Sequence, residues 1–365
     1  MLRYLFAFIV FIHGVIHLMG FAKAFGFSKM DQLTKDISKP MGLAWLLAAI
    51  LCVAAGALLL ARKEGWWMMG LAAVIVSQVL IFTAWRDARF GTLANGMILV
   101  AGVLAYGSWR FESRFERDVA AAVTKAQSVK EDIVTPADIG HLPVPVQKYL
   151  TYVGVLNRPK VSSYHIRFEG QMRERGKDWF PFTSRQYNFT REPTRLFFMQ
   201  AKMYGMTVPG YHAYKNGEAS MQVKLFGLLP VVSSKPGELD KAETVTIFND
   251  MCLFAPASLI DARVQWEPVD ALTAKAIYTV NNIRISALLY FNEKGQLINF
   301  VSDDRYAIAE KKQYRFSTPV KDYQNFGGYN LPAYGEAVWH YPEGTFAYGK
   351  FHLKEASYHV HHPIH

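Results

Sequence analysis

Residues 42–85 decide the fold class: GLAWLLAAILCVAAGALLLA at 42–61 is followed by RKEG at 62–65 and WWMMGLAAVIVSQVLIFTAW at 66–85. Each apolar run has roughly the 20 residues that a helix needs to cross about 30 Å of hydrocarbon. Because the charged connection is so short, the two helices must be antiparallel neighbours. The stretch therefore predicts a transmembrane helical hairpin.

Two further apolar runs, Tyr4–Phe21 and Thr92–Trp109, extend the hairpin to a predicted four-helix transmembrane bundle. The first run has no clear small-residue cleavage site, and three more spans follow it closely, so we interpret it as a span and not a signal peptide. Tryptophans mark the span ends, as in an aromatic belt: Trp66, Trp67, Trp85 and Trp109.

Charge is distributed unevenly along the chain. Residues 1–110 carry 10 basic and 4 acidic residues, whereas residues 111–365 carry 30 and 26. The soluble part has mixed charges without a basic stripe, which argues against nucleic acid as a partner. We predict a multi-pass protein of the bacterial inner (cytoplasmic) membrane. Basic residues flank both ends of the spans equally, so the positive-inside rule gives no orientation.

After residue 160 the hydrophobic period changes to two. Within IRISALLYF at 283–291, apolar side chains alternate with the others, which is typical of half-buried antiparallel strands. A helical period over Lys241–Leu253 predicts a helix that Pro256 closes. The fold class predicted is α+β: the membrane bundle, then a mainly antiparallel, half-barrel-like β domain with one or two helices.

The predicted domain organisation follows these changes of pattern: transmembrane residues 1–110, a helical linker at 111–140, a β-rich soluble domain at 141–358, and a His-rich tail at 359–365. Phenylalanine and methionine are frequent in the soluble part. These residues suit either an adaptable apolar pocket or an ordinary core.

His13 and His17 lie four residues apart in the first span and so share one helix face. Ionisable residues within a span are functional candidates, here for metal, quinone or proton transfer, with interhelical hydrogen bonding as the alternative. Gln78 and Asp87 are candidates to complete this polar site.

Six residues of the soluble part are candidates for ligand binding. Asp250 and Cys252 lie late in the predicted helix, Asp303 and Arg305 follow a predicted strand, and the remaining two lie near the end of the domain: Glu336 and Trp339. The alternative for all six is structural, with Cys252 a buried apolar residue and the Asp303 segment paired with Arg305.

No complete catalytic motif occurs: the sequence has no Walker loop, Rossmann fingerprint, G-x-S-x-G or H-E-x-x-H. We predict neither catalytic residues nor a cofactor. No metal site is predicted, because a terminal histidine cluster binds metal mostly adventitiously.

Several segments resemble a bacterial membrane family of unknown function with a DoxX-like four-helix part: FIHGVIHLMGFAKAFGF, SQVLIFTAWRDARFGTLANG and LPVPVQKYLTYVGVLNRPKV among them. The order of strands and turns after residue 291 is similar to LolA/LolB-like lipoprotein carriers. That resemblance implies an unclosed antiparallel barrel around an apolar cavity, on the extracytoplasmic side. The DoxX-like part implies respiratory or redox partners.

The leading functional hypothesis is a membrane-anchored binding protein for a lipid or other apolar ligand. Its partners would be membrane lipids, an apolar small molecule or another membrane protein. Two alternatives stay open: a membrane oxidoreductase or quinone-linked subunit that uses His13 and His17, and a purely structural or assembly role.

Overall fold

The computed structural model describes residues 1–126, 132–203, 205–234, 237–307, 310 and 312–364. The chain divides into two compact units. The helical unit comprises Met1–Phe111 and Phe226–Leu228, and the β unit comprises Glu112–Leu225 and Leu229–His365.

The helices of the first part of the chain follow the predicted spans. They are α1 Leu2–Ala24, α2 Lys39–Leu60, α3 Trp66–Thr83, the short α4 Trp85–Ala88, and α5 Gly91–Ala126. All except α4 are long and apolar enough to cross a membrane. Helix α5 continues beyond the predicted end of the fourth span and takes up much of the expected helical linker, of which residues 127–131 lie outside the described residues.

Small residues let α1 and α2 approach closely. A Cβ on Gly20 would lie 2.2 Å from the Trp45 ring, and one on Gly14 would lie 2.9 Å from the Cβ of Cys52. Contact through glycine is the usual way in which helices associate where lipid removes the hydrophobic driving force. Cys52 is therefore a packing residue of this interface, fully buried.

The β unit is built on antiparallel strands, as predicted. They are β1 Ser163–Met172, β2 Phe180–Phe189, β3 Thr194–Met203, β4 Met206–Lys215, β5 Glu218–Leu225, β6 Leu229–Ser234, β7 Val264–Asp270, β8 Thr273–Val280, β9 Ile283–Phe291, β10 Leu297–Ser302, β11 Tyr306–Ala307, β12 Lys312–Gln313, β13 Arg315–Phe326, β14 Tyr329–Tyr341 and β15 Gly344–Tyr358.

Thirteen of these strands form one sheet in the order β6-β5-β4-β3-β2-β1-β15-β14-β13-β10-β9-β8-β7, while β11 and β12 pair separately. The order is open, with β6 and β7 at its edges. The first six strands run as a meander to one side, and β15 returns to pair with β1. The two halves of the domain therefore join through the last strand of the chain.

The helices of the β unit are α6 Pro136–Ile139, α7 Val144–Val153 and α8 Glu238–Phe254, followed by a 3-10 turn at Pro256–Ile260. Helix α6 is capped by Thr135, whose backbone N–H and hydroxyl both donate to Asp138. The hydroxyl of Tyr149 on α7 donates to the carbonyl of Cys252 on α8 at 2.7 Å. This bond ties the two helices together within the core.

The alternation of strand residues gives the sheet two different faces. Phe197 and Met199 on β3 point into a cavity beneath α8. Phe198 between them points to the opposite face, where its ring lies 5.2 Å from that of Phe115 in α5. Residues after Glu112 in α5 therefore cover one face of the sheet, and α8 covers the other.

The His-rich end of the chain is attached to the sheet and does not stand as a separate tail in residues 359–364. The amide of His359 donates to the carbonyl of Ser163, and the amide of Val360 donates to its hydroxyl, both at 2.9 Å. The hydroxyl of Tyr187 bonds both the amide and the carbonyl of Ile364 at 2.8 Å. These contacts place the segment against β1 and β2.

Candidate functional site

A cavity of about 900 Å³, counting open space at its mouth, lies between α8 and the strands around β1, β3, β14 and β15. Its walls are mainly apolar, which is the usual character of a pocket for a small molecule. The apolar lining includes Phe168, Met172, Phe197, Met199, Leu253, Phe254, Phe316, Val320, Phe351 and Leu353.

Aromatic rings pack closely along this wall. Phe168 contacts Phe254 of α8 and Phe351 of β15, with ring centroids 5.3 and 5.6 Å apart. Phe182 contacts the same Phe351 ring at 5.3 Å. Edge-to-face packing of this kind gives the apolar part of the cavity a defined shape.

A buried polar cluster centred on Arg195 also lines the cavity. The Arg195 side chain is 9% exposed, and its Nε donates to Asp250 Oδ2 at 2.7 Å. Its other nitrogens donate to Glu243 Oε2 at 3.4 Å and to Gln186 Oε1 at 3.2 Å. Gln186 also donates to Asp250 Oδ2 at 2.7 Å. The guanidinium is thus compensated by two carboxylates, as burial of a charge requires.

Burial shapes the electrostatics of this cluster. Removal from water raises the pKa of Asp250 above its usual value, while the Arg195 guanidinium and the Gln186 amide oppose the rise. Burial lowers the pKa of His212 to about 4, against the opposing effect of the Glu243 carboxylate. His212 is therefore neutral at pH 7, with its Nδ1 lying 4.0 Å from Glu243 Oε1.

Arg305 provides a second positive charge on the cavity lining. Its guanidinium lies over the Phe316 ring at 3.9 Å and within 5.3 Å of Trp339 and 6.0 Å of Tyr348. Cation–π contacts stabilise such a group without neutralising it. Within the described part of the chain, no carboxylate lies within ion-pair distance of Arg305.

Asn249 on α8 leaves one hydrogen-bonding atom unused at the cavity. Its Nδ2 donates to the Thr318 hydroxyl at 2.8 Å, whereas its Oδ1 is buried and has no partner in the described structure. An unpaired buried carbonyl is costly, so this amide is available to a ligand that brings a donor.

The structure brings together three of the six predicted soluble residues: Asp250, Arg305 and Glu336 all line the cavity. The Tyr334 hydroxyl donates to Glu336 Oε1 at 2.5 Å. The ring of Trp339 contacts the Arg305 guanidinium. These positions follow from the sheet, because β14 carries Glu336 and Trp339 beside the strands that form the wall.

The other two predicted residues lie elsewhere. Cys252 is fully buried in the core, and burial raises the pKa of its thiol. Asp303 is on the surface, 66% exposed, where Arg315 donates two hydrogen bonds to it. Those bonds lower the pKa of the Asp303 carboxyl. Neither side chain contributes to the lining of the cavity.

Arg195, Glu243 and Gln186 were not among the sequence candidates. They are separated by up to 57 residues along the chain, and only the pairing of β2 with β3 and the crossing of α8 bring them together. The one local signal is Arg195 itself, a charged residue within the apolar run TRLFFM.

The helical unit holds a second polar site around the predicted His13 and His17. His13 Nε2 lies 2.9 Å from Asn95 Oδ1 and 3.2 Å from Ser77 Oγ. His17 Nε2 lies 2.9 Å from the same Ser77 Oγ. Gln78 accepts from Asn95 and donates to Thr92, at 3.0 and 3.2 Å.

Asp87 lies apart from this network, in α4. Its Oδ2 accepts from the amide and hydroxyl of Thr34 at 2.7 and 2.8 Å, and these bonds lower the pKa of the carboxyl. Asp87 therefore fixes the connection between α1 and α2. Among the described residues, histidine, cysteine and acidic side chains form no group of three that could hold a metal ion.

Residues 132–351 match a family of unknown function, DUF6544, and the chain belongs to this family. The match covers most of the β unit and not the helices α1–α5, so the DoxX-like resemblance of the first part of the chain stays a prediction. No curated protein matches the sequence.

Two solved structures are similar to part of the chain. One is a LolA superfamily protein from Nitrosomonas europaea, 8% identical with a TM-score of 0.32, covering 58% of this chain and 91% of its own. The other, from Vibrio parahaemolyticus, is provisionally described as an outer membrane lipoprotein-sorting protein domain. It is 9% identical with a TM-score of 0.34 and covers 54% of this chain and 85% of its own.

Proposed function

We propose that this protein binds an amphipathic, lipid-like molecule in the cavity of its β unit and is anchored in a bilayer by α1, α2, α3 and the first part of α5. The observation that carries the proposal is the composition of the cavity. Its aromatic and aliphatic wall suits an apolar chain, and polar groups at Arg195, Asn249 and Arg305 suit a head group.

A negatively charged head group would suit Arg305. The Arg195 guanidinium is already compensated by Asp250 and Glu243, whereas Arg305 is held by aromatic rings. A carboxylate or phosphate reaching Arg305 would form a charge-assisted hydrogen bond, which is stronger than a neutral one. We therefore propose an anionic amphiphile, such as a fatty acid, as the ligand class.

The β unit would lie on the extracytoplasmic side of a bacterial inner membrane, where it could receive its ligand from the adjacent bilayer. Helices α1, α2, α3 and α5 support the bilayer placement, because each has the length and hydropathy of a membrane span.

Photolabelling of the full-length protein tests the proposal. A fatty acid with a diazirine in its chain is added to the protein in phosphatidylcholine nanodiscs, irradiated, and located by peptide mass spectrometry. We expect adducts in α8, β13, β14 and β15, whose residues form the wall.

The matched variant is Ala333→Trp, which fills the cavity from β14. We expect it to reduce the adducts in the β unit by about fivefold or more, and to leave adducts in α1 and α5 unchanged as an internal control. Adducts confined to the membrane helices, or β-unit adducts that survive Ala333→Trp, would overturn the proposal. Co-purification of a partner protein without such adducts would favour the assembly role.

A further inference from the structure

The helical unit contains its own cavity, about 1080 Å³ counting open space, beside α1, α3, α5 and the connection after α1. Its lining on α1 runs from Phe8 to Met19. At 1.5 Å per residue this is about 16 Å, roughly half the thickness of the hydrocarbon core. Given the bilayer placement proposed above, the cavity spans one leaflet.

The hydrogen bonds of His17 fix its tautomer. Its Nδ1 lies 2.8 Å from the carbonyl oxygen of His13, which can only accept, so Nδ1 carries the proton. In the neutral ring Nε2 must then accept, and the group 2.9 Å away is the Ser77 hydroxyl. The single hydroxyl proton of Ser77 is therefore committed to His17.

The same reasoning fixes the tautomer of His13. Because the Ser77 proton points to His17, the contact between His13 Nε2 and Ser77 Oγ at 3.2 Å requires a proton on Nε2. That proton also faces Asn95 Oδ1 at 2.9 Å. A second proton would place a charge within hydrocarbon, which is expensive. Nδ1 of His13 is thus a bare acceptor.

This acceptor has no partner within the described residues, although His13 is only 4% exposed and its ring lines the cavity. Every other ring nitrogen of the pair is hydrogen-bonded. An acceptor on a largely buried ring in an apolar lining gains a hydrogen bond when a ligand brings a donor to it.

We infer that this cavity binds a lipid-soluble alcohol or phenol, whose O–H donates to His13 Nδ1. The ligand is apolar because its surroundings are, with Phe8, Ile12, Ile16 and Ile81 along the lining. It is neutral, since the one charged side chain among the described lining residues, Asp87, already accepts two hydrogen bonds from Thr34. It brings a donor, because His13 offers an acceptor and a carbonyl or ether would leave it unpaired.

The test uses a matched pair of probes, a ring-brominated decylphenol and its methyl ether, with the full-length protein in phosphatidylcholine nanodiscs. Bromine quenches nearby tryptophan, and Trp45 lines the cavity with its ring 5.3 Å from His17. The quenching that Trp45→Phe abolishes is the signal from this site.

We expect saturable quenching with half-saturation at a concentration about five to ten times lower for the phenol than for the ether, which corresponds to one hydrogen bond. His13→Phe should make the two probes equal. Equal affinities in the wild-type protein, or quenching that never saturates, would mean partition only and would overturn the inference.

The comparison of probes within the wild-type protein keeps the test valid if His13→Phe fails to fold. A failure of this inference can also be distinguished from a failure of the proposed function. Ala333→Trp blocks the β-unit cavity and is expected to leave the Trp45 signal unchanged.

Discussion

Arg305 is held by the faces of aromatic rings, with Phe316 at 3.9 Å as the closest. This arrangement leaves the guanidinium hydrogens free to meet a ligand at the cavity wall, whereas Arg195 is occupied by its carboxylates. The two arginines of the cavity thus have different roles. Arg195 is hydrogen-bonded within the buried polar cluster of the lining. We propose that Arg305 binds the negative charge of the ligand.

Arg305→Gln should therefore distinguish ligands by their head groups. We expect photolabelling of the β unit by a diazirine fatty acid to fall about tenfold, because a hydrogen bond to a charged group contributes at least ~1.5 kcal/mol. Labelling by the corresponding fatty alcohol should change less than about twofold. Arg315→Gln is the control, since Arg315 pairs with exposed Asp303 outside the cavity. Equal losses for acid and alcohol would argue against charge recognition.

His165 is the most completely buried histidine of the β unit within the described residues, 1% exposed, and neither ring nitrogen has a hydrogen-bond partner. Its ring packs on Tyr187 at 4.5 Å. Burial lowers its pKa to about 4, and the positive charges of Arg167 and Arg185 add to the effect. An unfolded histidine has a pKa near 6.5, so the unfolded chain binds more protons between these values.

It follows that the free energy of unfolding decreases as pH falls from 6.5 towards 4. At pH 5 the contribution of His165 is a loss of about 2 kcal/mol relative to neutral pH, or roughly 4–8 °C in Tm for a domain of this size. His165→Phe should remove that part of the acid sensitivity while keeping the packing on Tyr187. Thermal unfolding at pH 7.5 and 5.0 measures it, and an unchanged pH dependence would contradict the assignment.

Some strands can be predicted from the alternation of apolar residues in the sequence, and others cannot. In β9, IRISALLYF alternates cleanly, and the predicted strand coincides with the observed Ile283–Phe291. Strand β4 was not predicted, because MTVPGYHAYK carries Pro209 and Gly210 at its centre, residues that normally mark a turn. In the structure it pairs with β3 along its length and with β5 from Gly210 to Lys215, so tertiary pairing overrides the local signal.

Gly170 in β1 marks where the two halves of the sheet meet. A Cβ there would lie 2.1 Å from the carbonyl oxygen of Lys350 in β15 and 2.8 Å from the Phe182 ring. Only glycine permits this approach, close to the irregularity in pairing at Arg167/Phe168. The junction of β1 and β15 therefore depends on a missing side chain.

Gly170→Ala should destabilise the β unit by about 1–3 kcal/mol, because backbone and ring must both shift. Gly210→Ala is the matched control in the same sheet. Its new Cβ would meet Val223 and Met199 at 3.5 and 3.6 Å, which is ordinary contact. We expect the control to be neutral or slightly stabilising, since alanine restricts the unfolded chain. Thermal unfolding compares the two, and similar losses would show that Gly170 is not specially constrained.

Across the whole molecule, the sequence predicted the class of fold, and three of the six candidate residues of the soluble part lie on the lining of the cavity. Apolar runs identify helices that can cross a bilayer from length alone, and a period-two pattern identifies a strand such as β9. The cavity is harder, because Arg195 and Asp250 are 55 residues apart and meet only when α8 crosses the sheet. Single-sequence patterns report local burial and carry no information on such pairings.

Cysteine labelling can measure on which side of the membrane the β unit lies. Four crossings, as proposed above, would place the β unit on the side of the membrane that holds the N-terminus, and the connection at 25–38 on the opposite side. Ile298→Cys, on an exposed position of β10, should react with an impermeant maleimide in intact spheroplasts, whereas Ser28→Cys should react only after lysis. Cys52 and Cys252 are buried and provide little background.

The reverse pattern of labelling would place the β unit in the cytoplasm. The cavity could then still hold an anionic amphiphile, but its ligand would come from the inner leaflet or from cytoplasmic synthesis. An extracytoplasmic β unit would instead receive molecules that have already crossed the membrane or that arise outside it. The two outcomes therefore assign opposite directions to any transfer of a lipid. The side of the membrane on which the β unit lies thus decides from which source the cavity could receive its ligand.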